Sequence, residues 1–142
     1  MIKKRILGVD YGDARTGLAL SDVNWFLASG AGTIKSTGFV KTAQAVADFA
    51  LSKDVERIVL GHPINMNGTL GPRSEKVQAF GKKLNELTGL DVVLFDERLS
   101  TANAHQILNE TNTRGQKRKE VIDEMSACLI LQSYLDRERS KG

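Results

Sequence analysis

The spacing of apolar positions changes several times along this chain, and each change marks an element. Ile6-Leu7-Gly8-Val9 is a short apolar run that ends at Asp10. A turn-rich segment from Tyr11 to Gly17 separates it from a second run, Leu18-Ala19-Leu20. Two such runs joined through a glycine-containing turn predict a β-hairpin. Trp25 to Ile34 predicts a third strand, weakened by its glycines. From Ser36 to Ser52 the period becomes helical. Phe39, Ala43, Val46, Ala47 and Ala50 recur at steps of three and four, with Ser36 or Thr37 available as a cap. Arg57 to Gly61 is a short buried strand, and Pro63 ends it because proline cannot donate to a ladder. Arg73 to Thr88 predicts the second helix, with Val77, Phe80, Leu84 and Leu87 on one face and Gly89 as the stop. Asp91 to Glu97 is a fifth strand that again ends in acids. Ser100 or Thr101 opens a third helix carrying Ala104, Ile107 and Leu108. The last helix is expected from Lys119 to Arg137.

The resulting order, β-β-β-α-β-α-β-α-α, predicts an α/β domain with a mixed five-stranded sheet. It starts antiparallel and adds parallel strands through right-handed crossovers. The 142 residues suit one domain, expected over 1–138, with a frayed tail at 139–142. No apolar run approaches the ~20 residues of a membrane span, and Asp10 interrupts any signal-peptide core. The single cysteine, Cys128, forms no internal disulfide and sits in an apolar helical pattern, which reads as packing. These features predict a cytoplasmic protein with no membrane partner.

A net charge of +3 permits nucleic-acid binding without demanding it. Its distribution says more. Arg114-Gly115-Gln116-Lys117-Arg118-Lys119 is a dense basic run, expected as a loop that is either simply solvated or in contact with phosphates. The loop from Gly61 to Thr69 follows a strand and precedes a helix, where α/β proteins bind ligands. His62 at its start is either a structural histidine or a substrate contact.

Three acids stand out against the pattern. Asp10 closes an apolar strand, with Val9 and Leu7 on one face and Gly8 on its own. Gly8 should leave open space on the carboxylate's side. The simpler reading is an edge acid capping the hairpin turn. Asp123 heads a helix face that is otherwise Ala127, Ile130, Leu131 and Tyr134, though the helix dipole tolerates an acid near its start. Glu97 ends strand five. If strands one and five run parallel, Asp10 and Glu97 open at the same edge, and a helix packed across it adds Asp123. Converging carboxylates repel unless a cation neutralises them. An all-oxygen donor set favours Mg²⁺ or Mn²⁺ over zinc. Two such ions about 4 Å apart are the arrangement used in phosphodiester cleavage. Lys117, Arg118, Lys119 and Arg98 are the candidate phosphate contacts from charge and position, and Asn65 of the loop is a further candidate substrate contact.

Several stretches together resemble the YqgF/RuvX family. They are Gly8-Val9-Asp10-Tyr11-Gly12, Arg15-Thr16-Gly17, the loop Gly61 to Thr69, Asp96-Glu97-Arg98-Leu99-Ser100-Thr101, and Asp123 ahead of Ser126-Ala127 and Ile130 to Tyr134. The resemblance spans nearly the whole chain. It implies a ribonuclease H-like fold with sheet order 3-2-1-4-5 and strand 2 antiparallel, and a nuclease site at Asp10, Glu97 and Asp123. It also implies a bacterial cytoplasmic nuclease that matures the 5′ end of pre-16S ribosomal RNA and meets ribosomal precursor particles. The family was first named for Holliday junction resolution, by similarity to RuvC. His62 departs from the aliphatic residue usual at the loop's second position, which bears on substrate contacts and leaves the metal site intact.

Four functions compete at this level. An RNA-processing nuclease leads. A DNA junction resolvase would use the same chemistry as a homodimer, and the sequence does not separate monomer from dimer. An actin-like nucleotide-binding module shares the DxG turn but needs a second lobe. A binding protein that has lost catalysis would not need all three acids.

Overall fold

The computed structural model describes residues 4–100 and 115–141. Three strands open the chain: β1 (Arg5–Tyr11), β2 (Arg15–Ser21) and β3 (Ala28–Lys35). Helix α1 (Phe39–Ser52) leads to β4 (Val55–His62), and α2 (Pro72–Thr88) leads to β5 (Asp91–Asp96). A 3₁₀ turn, Glu97–Leu99, follows, and α3 (Gly115–Ser140) closes the domain. The sheet order is β3-β2-β1-β4-β5, with β2 antiparallel to both neighbours and β1, β4 and β5 parallel. This is the predicted mixed sheet.

Period-two alternation divides the apolar residues between two layers. Leu7, Val9, Leu18, Ile58 and Leu60 face α1 and α2, which contribute Val46, Ala47, Phe80 and Leu84. Ile6, Ala19 and Val59 face α3, which contributes Ala127, Ile130, Leu131 and Leu135. The parallel arrangement places the carboxyl ends of β1, β4 and β5 at one edge. Among the described residues, no helix is long and apolar enough to cross a membrane.

The structure revises several local expectations. Strand β3 begins at Ala28 because the Asp22 carboxylate accepts from the amides of Asn24, Phe26 and Leu27 and closes a turn there. Neither Ser36 nor Thr37 caps α1. Gly38 takes the cap position at φ 120°, and Thr42 Oγ1 accepts from the Thr37 amide. Ser36 instead donates to the Gly12 carbonyl, bracing the β1–β2 turn. Glu97 leaves the strand for the 3₁₀ turn, which Asp96 caps by accepting from the Arg98 amide. The basic run is helix from Gly115 rather than loop. Helix α3 also passes Arg137 and continues to Ser140, into the tail expected to fray. Its last turn is tied down by Arg139, which donates to Asp136 and to the Phe26 carbonyl. The expected helix over Ala104, Ile107 and Leu108 lies outside the described residues.

Candidate active site

Asp10 sits near the end of β1, on the α3 side of the sheet. In register, Val9 pairs with Leu60 of β4, so Gly61 is the next neighbour along. Glu97 reaches back over Gly61 from beyond β5. A Cβ on Gly61 would lie 2.7 Å from Glu97 Oε1, so only glycine leaves room for that carboxylate. Asp10 and Glu97 come together there, close enough for each to shift the other's titration. Burial pushes the Asp10 carboxyl up to about 7, and the charges of Glu97 and Asp123 add to the shift. Burial also raises Glu97. The Arg73 guanidinium opposes both shifts.

Asp123 approaches from α3. The helix lies so close to β2 that a Cβ on Gly17 would fall 1.9 Å from the Asp123 carbonyl oxygen. Arg15, two residues before Gly17 on the same strand, donates from Nε to Asp123 Oδ2 at 2.8 Å. Asp10 and Glu97 are therefore in contact, and Asp123 is near enough to raise Asp10 but is drawn toward Arg15. Among the described residues, no three His, Cys, Asp or Glu side chains have closed on one point.

The space beside the acids does not come from Gly8, as its lack of a side chain suggests. Leu131 Cβ would lie 2.7 Å from a Cβ there, so α3 fills that side. The open space lies at the carboxyl edge instead, between α2 and α3. A cavity of about 260 Å³ is lined by Asp10, Glu97, Gly61, Tyr11, Arg73 and Ser126, among others.

The other predicted contacts are placed less directly. Arg98 pairs with Asp96 through Nε and Nη2, at 2.7–3.1 Å, and this pairing holds the Asp96 carboxyl below its usual range. Asn65 organises its loop: its amide nitrogen donates to Thr69 Oγ1 and its carbonyl accepts from the Gly68 amide. His62 Nε2 lies 2.6 Å from the buried Ser74 Oγ, tying the end of β4 to the first turn of α2. This is the structural role. Lys119 is exposed on α3. The backbone of Lys117 and Arg118 is helical, and their side chains lie outside the described residues.

Two arginines that the sequence pattern left without roles belong to the site: Arg15, which holds Asp123, and Arg73, which lines the cavity. Arg15 carried no local signal, because its partner is 108 positions away. Arg73 carried a weak one. A helix that opens with Pro72-Arg73 just after the loop at the carboxyl edge must place its first side chains at that edge.

The donor set fits a hard divalent cation. It consists of carboxylate oxygens, two of them crowded at one cavity where a cation would offset their repulsion. The family model described as "RuvX: Holliday junction resolvase" matches residues 4–137.

The chain belongs to the RuvX family.

It is 46% identical over 134 residues to a protein of Ruminiclostridium cellulolyticum that carries the provisional name pre-16S rRNA nuclease, with 94% of each chain covered. A similarly named protein of Caldanaerobacter subterraneus is 46% identical, covering 96% of this chain and 99% of the relative. In fold, this RuvX-family chain is similar to Thermus thermophilus RuvC in complex with a Holliday junction substrate. The TM-score is 0.65 at 13% identity, with 97% and 96% of the two chains covered. It also resembles the fowlpox virus Holliday junction resolvase, with a TM-score of 0.56 at 14% identity and coverage of 94% and 99%. The fold is thus ribonuclease H-like, as the resemblance implied.

Proposed function

We propose that this RuvX-family protein is a metal-dependent nuclease that processes the 5′ end of pre-16S ribosomal RNA. The observation that carries this reading is the Asp10–Glu97 contact at the carboxyl edge of β1 and β5, with Asp123 held alongside by Arg15. Asp10, Glu97 and Asp123 are the residues that would hold Mg²⁺ or Mn²⁺. When bound, such ions supply an activated water and stabilise the leaving oxygen of a phosphodiester.

The chain's own groups account for the rest. The raised Asp10 carboxyl reflects two acids forced together by burial, and the pair gains most from a cation that lets both ionise. Gly61 lets Glu97 lie over β4, and Gly17 lets α3 bring Asp123 to the sheet. Lys117, Arg118 and Lys119, in the basic run that opens α3, are the proposed phosphate contacts, and such contacts dominate nucleic-acid affinity. Arg98 and Asn65 order the rim on which the strand would rest. The names of the relatives favour ribosomal precursor RNA as substrate. The family model's description favours a second reading, resolution of a DNA junction, which requires two sites on a homodimer.

A cleavage assay in Mg²⁺ and in Mn²⁺ tests this. It compares a pre-16S RNA fragment with a four-way DNA junction, using wild type beside Asp10→Asn. The expected result is RNA cleavage by wild type alone. Symmetric cutting of the junction with the RNA left intact would favour the resolvase. Cleavage that survives Asp10→Asn would remove these acids from the chemistry.

A further inference from the structure

Arg73 is the one cation among the described residues that line the cavity beside Asp10 and Glu97. Its position is set by the β1–β2 turn. Nη2 donates to the Tyr11 carbonyl, and Nη1 donates to Asp13 Oδ1 at 2.8 Å. The guanidinium also lies 5.9 Å from the Tyr11 ring centroid. That ring stacks on the fully buried Phe80, with centroids 3.8 Å apart and planes within 8°. The cation therefore rests on a rigid base.

A guanidinium present only to neutralise the two acids would bond to them. Instead, the hydrogen bonds of Arg73 among the described residues go to Tyr11 and Asp13, although its charge acts on both Asp10 and Glu97. Two of its five N–H donors are used in this way. Its partner Asp13 is 78% exposed, so this ion pair is screened and easily exchanged. The side chain itself keeps 39% of its surface in solvent and lines the cavity.

We infer that Arg73 binds the scissile phosphate of the nucleic-acid substrate, giving up Asp13 for a phosphate oxygen. The inference rests on the nuclease reading above. The guanidinium fork suits two phosphate oxygens at once, which a lysine cannot match. Arg73 transfers no proton. It places the phosphate between its own charge and the acids, and it stabilises the negative charge that grows on the phosphate oxygens during cleavage.

Steady-state cleavage of the pre-16S RNA fragment, with Mn²⁺ affinity measured by electron paramagnetic resonance, tests this on wild type, Arg73→Gln and Arg73→Lys. Arg73→Gln is expected to lower kcat/KM by about 10²–10³-fold. Its Mn²⁺ affinity should be unchanged or tighter, because a cation has left the neighbourhood of the ligands. Arg73→Lys should recover only part of the loss. Parallel loss of Mn²⁺ affinity, thermal midpoint and activity would mean that Arg73 merely braces the turn, and the inference fails. Full activity of Arg73→Gln overturns this inference alone, leaving the nuclease reading in place. A wild type that cuts neither the RNA nor the four-way DNA junction overturns both.

Discussion

Arg15 Nε donates to Asp123 Oδ2 across 2.8 Å, joining β2 to α3 over 108 positions of sequence. The contact uses one carboxylate oxygen, Oδ2, and the Asp123 charge still acts on Asp10. Both side chains are mostly buried, at 16% and 26% exposure, so the pair escapes much of the screening that weakens surface ion pairs. An arginine that orients a ligand carboxylate from behind acts on the metal indirectly.

Arg15→Ala should therefore lower Mn²⁺ affinity by about 10–100-fold, the usual cost of losing a partner that orients a ligand. Calorimetric titration of wild type and variant measures it. Equal affinities would show that Asp123 needs no such support.

Burial of Asp10, reinforced by the charges of Glu97 and Asp123, makes the metal-free protein sensitive to pH. The Asp10 pKa is raised from 3.8 to about 7, so the native state holds a proton that the unfolded chain has already released. The associated stability is fully present below about 3.8 and is lost as pH rises through about 7. At that end the loss is on the order of 4 kcal/mol, shared with Glu97 as a coupled pair. In EDTA, urea midpoints of wild type should fall from pH 5 to pH 8, and those of Asp10→Asn should fall much less. At pH 8 the variant should be the more stable of the two. Added Mg²⁺ should raise wild type and leave the variant nearly unmoved. A flat wild-type profile would mean that the two acids do not oppose each other.

Gly17 sets how closely α3 approaches the sheet. A Cβ there meets the Asp123 carbonyl oxygen at 1.9 Å, and the obstacle is helix backbone that cannot rotate away. Gly17→Ala should displace α3 and cost about 1–3 kcal/mol, in the range of overpacked cores. It should also weaken Mn²⁺ binding by moving Asp123. Gly61→Ala meets side-chain ends instead, Ile130 Cδ1 at 2.6 Å and Glu97 Oε1 at 2.7 Å, so it should lose activity with a smaller change in midpoint. Thermal melts and Mn²⁺ titration of the two variants decide the order.

Two of the three candidate acids stand out in the sequence because they break an apolar pattern. Asp10 ends a run of buried strand residues, and Asp123 heads the face of α3 that buries Ala127, Ile130, Leu131 and Tyr134. A charge in such a place needs a reason, and the reason can be sought before any coordinates exist. Gly8 shows the limit of that reasoning. Its missing side chain suggests space for a ligand beside Asp10, whereas α3 occupies that space and the cavity lies at the carboxyl edge between α2 and α3. The basic run shows another limit. Charge density marks a solvated segment but does not distinguish a loop from the first turns of a helix.

From the sequence alone come the order of the described elements, the two faces of the sheet and the three acids as candidates. These follow from local periodicity and from the cost of burying charge, and both are properties of neighbouring residues. Only the tertiary structure decided which partners meet. Arg15 holds Asp123, Arg73 stands over the cavity, His62 is tied to Ser74, and Glu97 crosses Gly61 to reach Asp10. Each of these depends on how parallel strands and crossover helices converge at one edge. Residues far apart in the chain become neighbours there through packing, which the spacing of residues along the chain does not record.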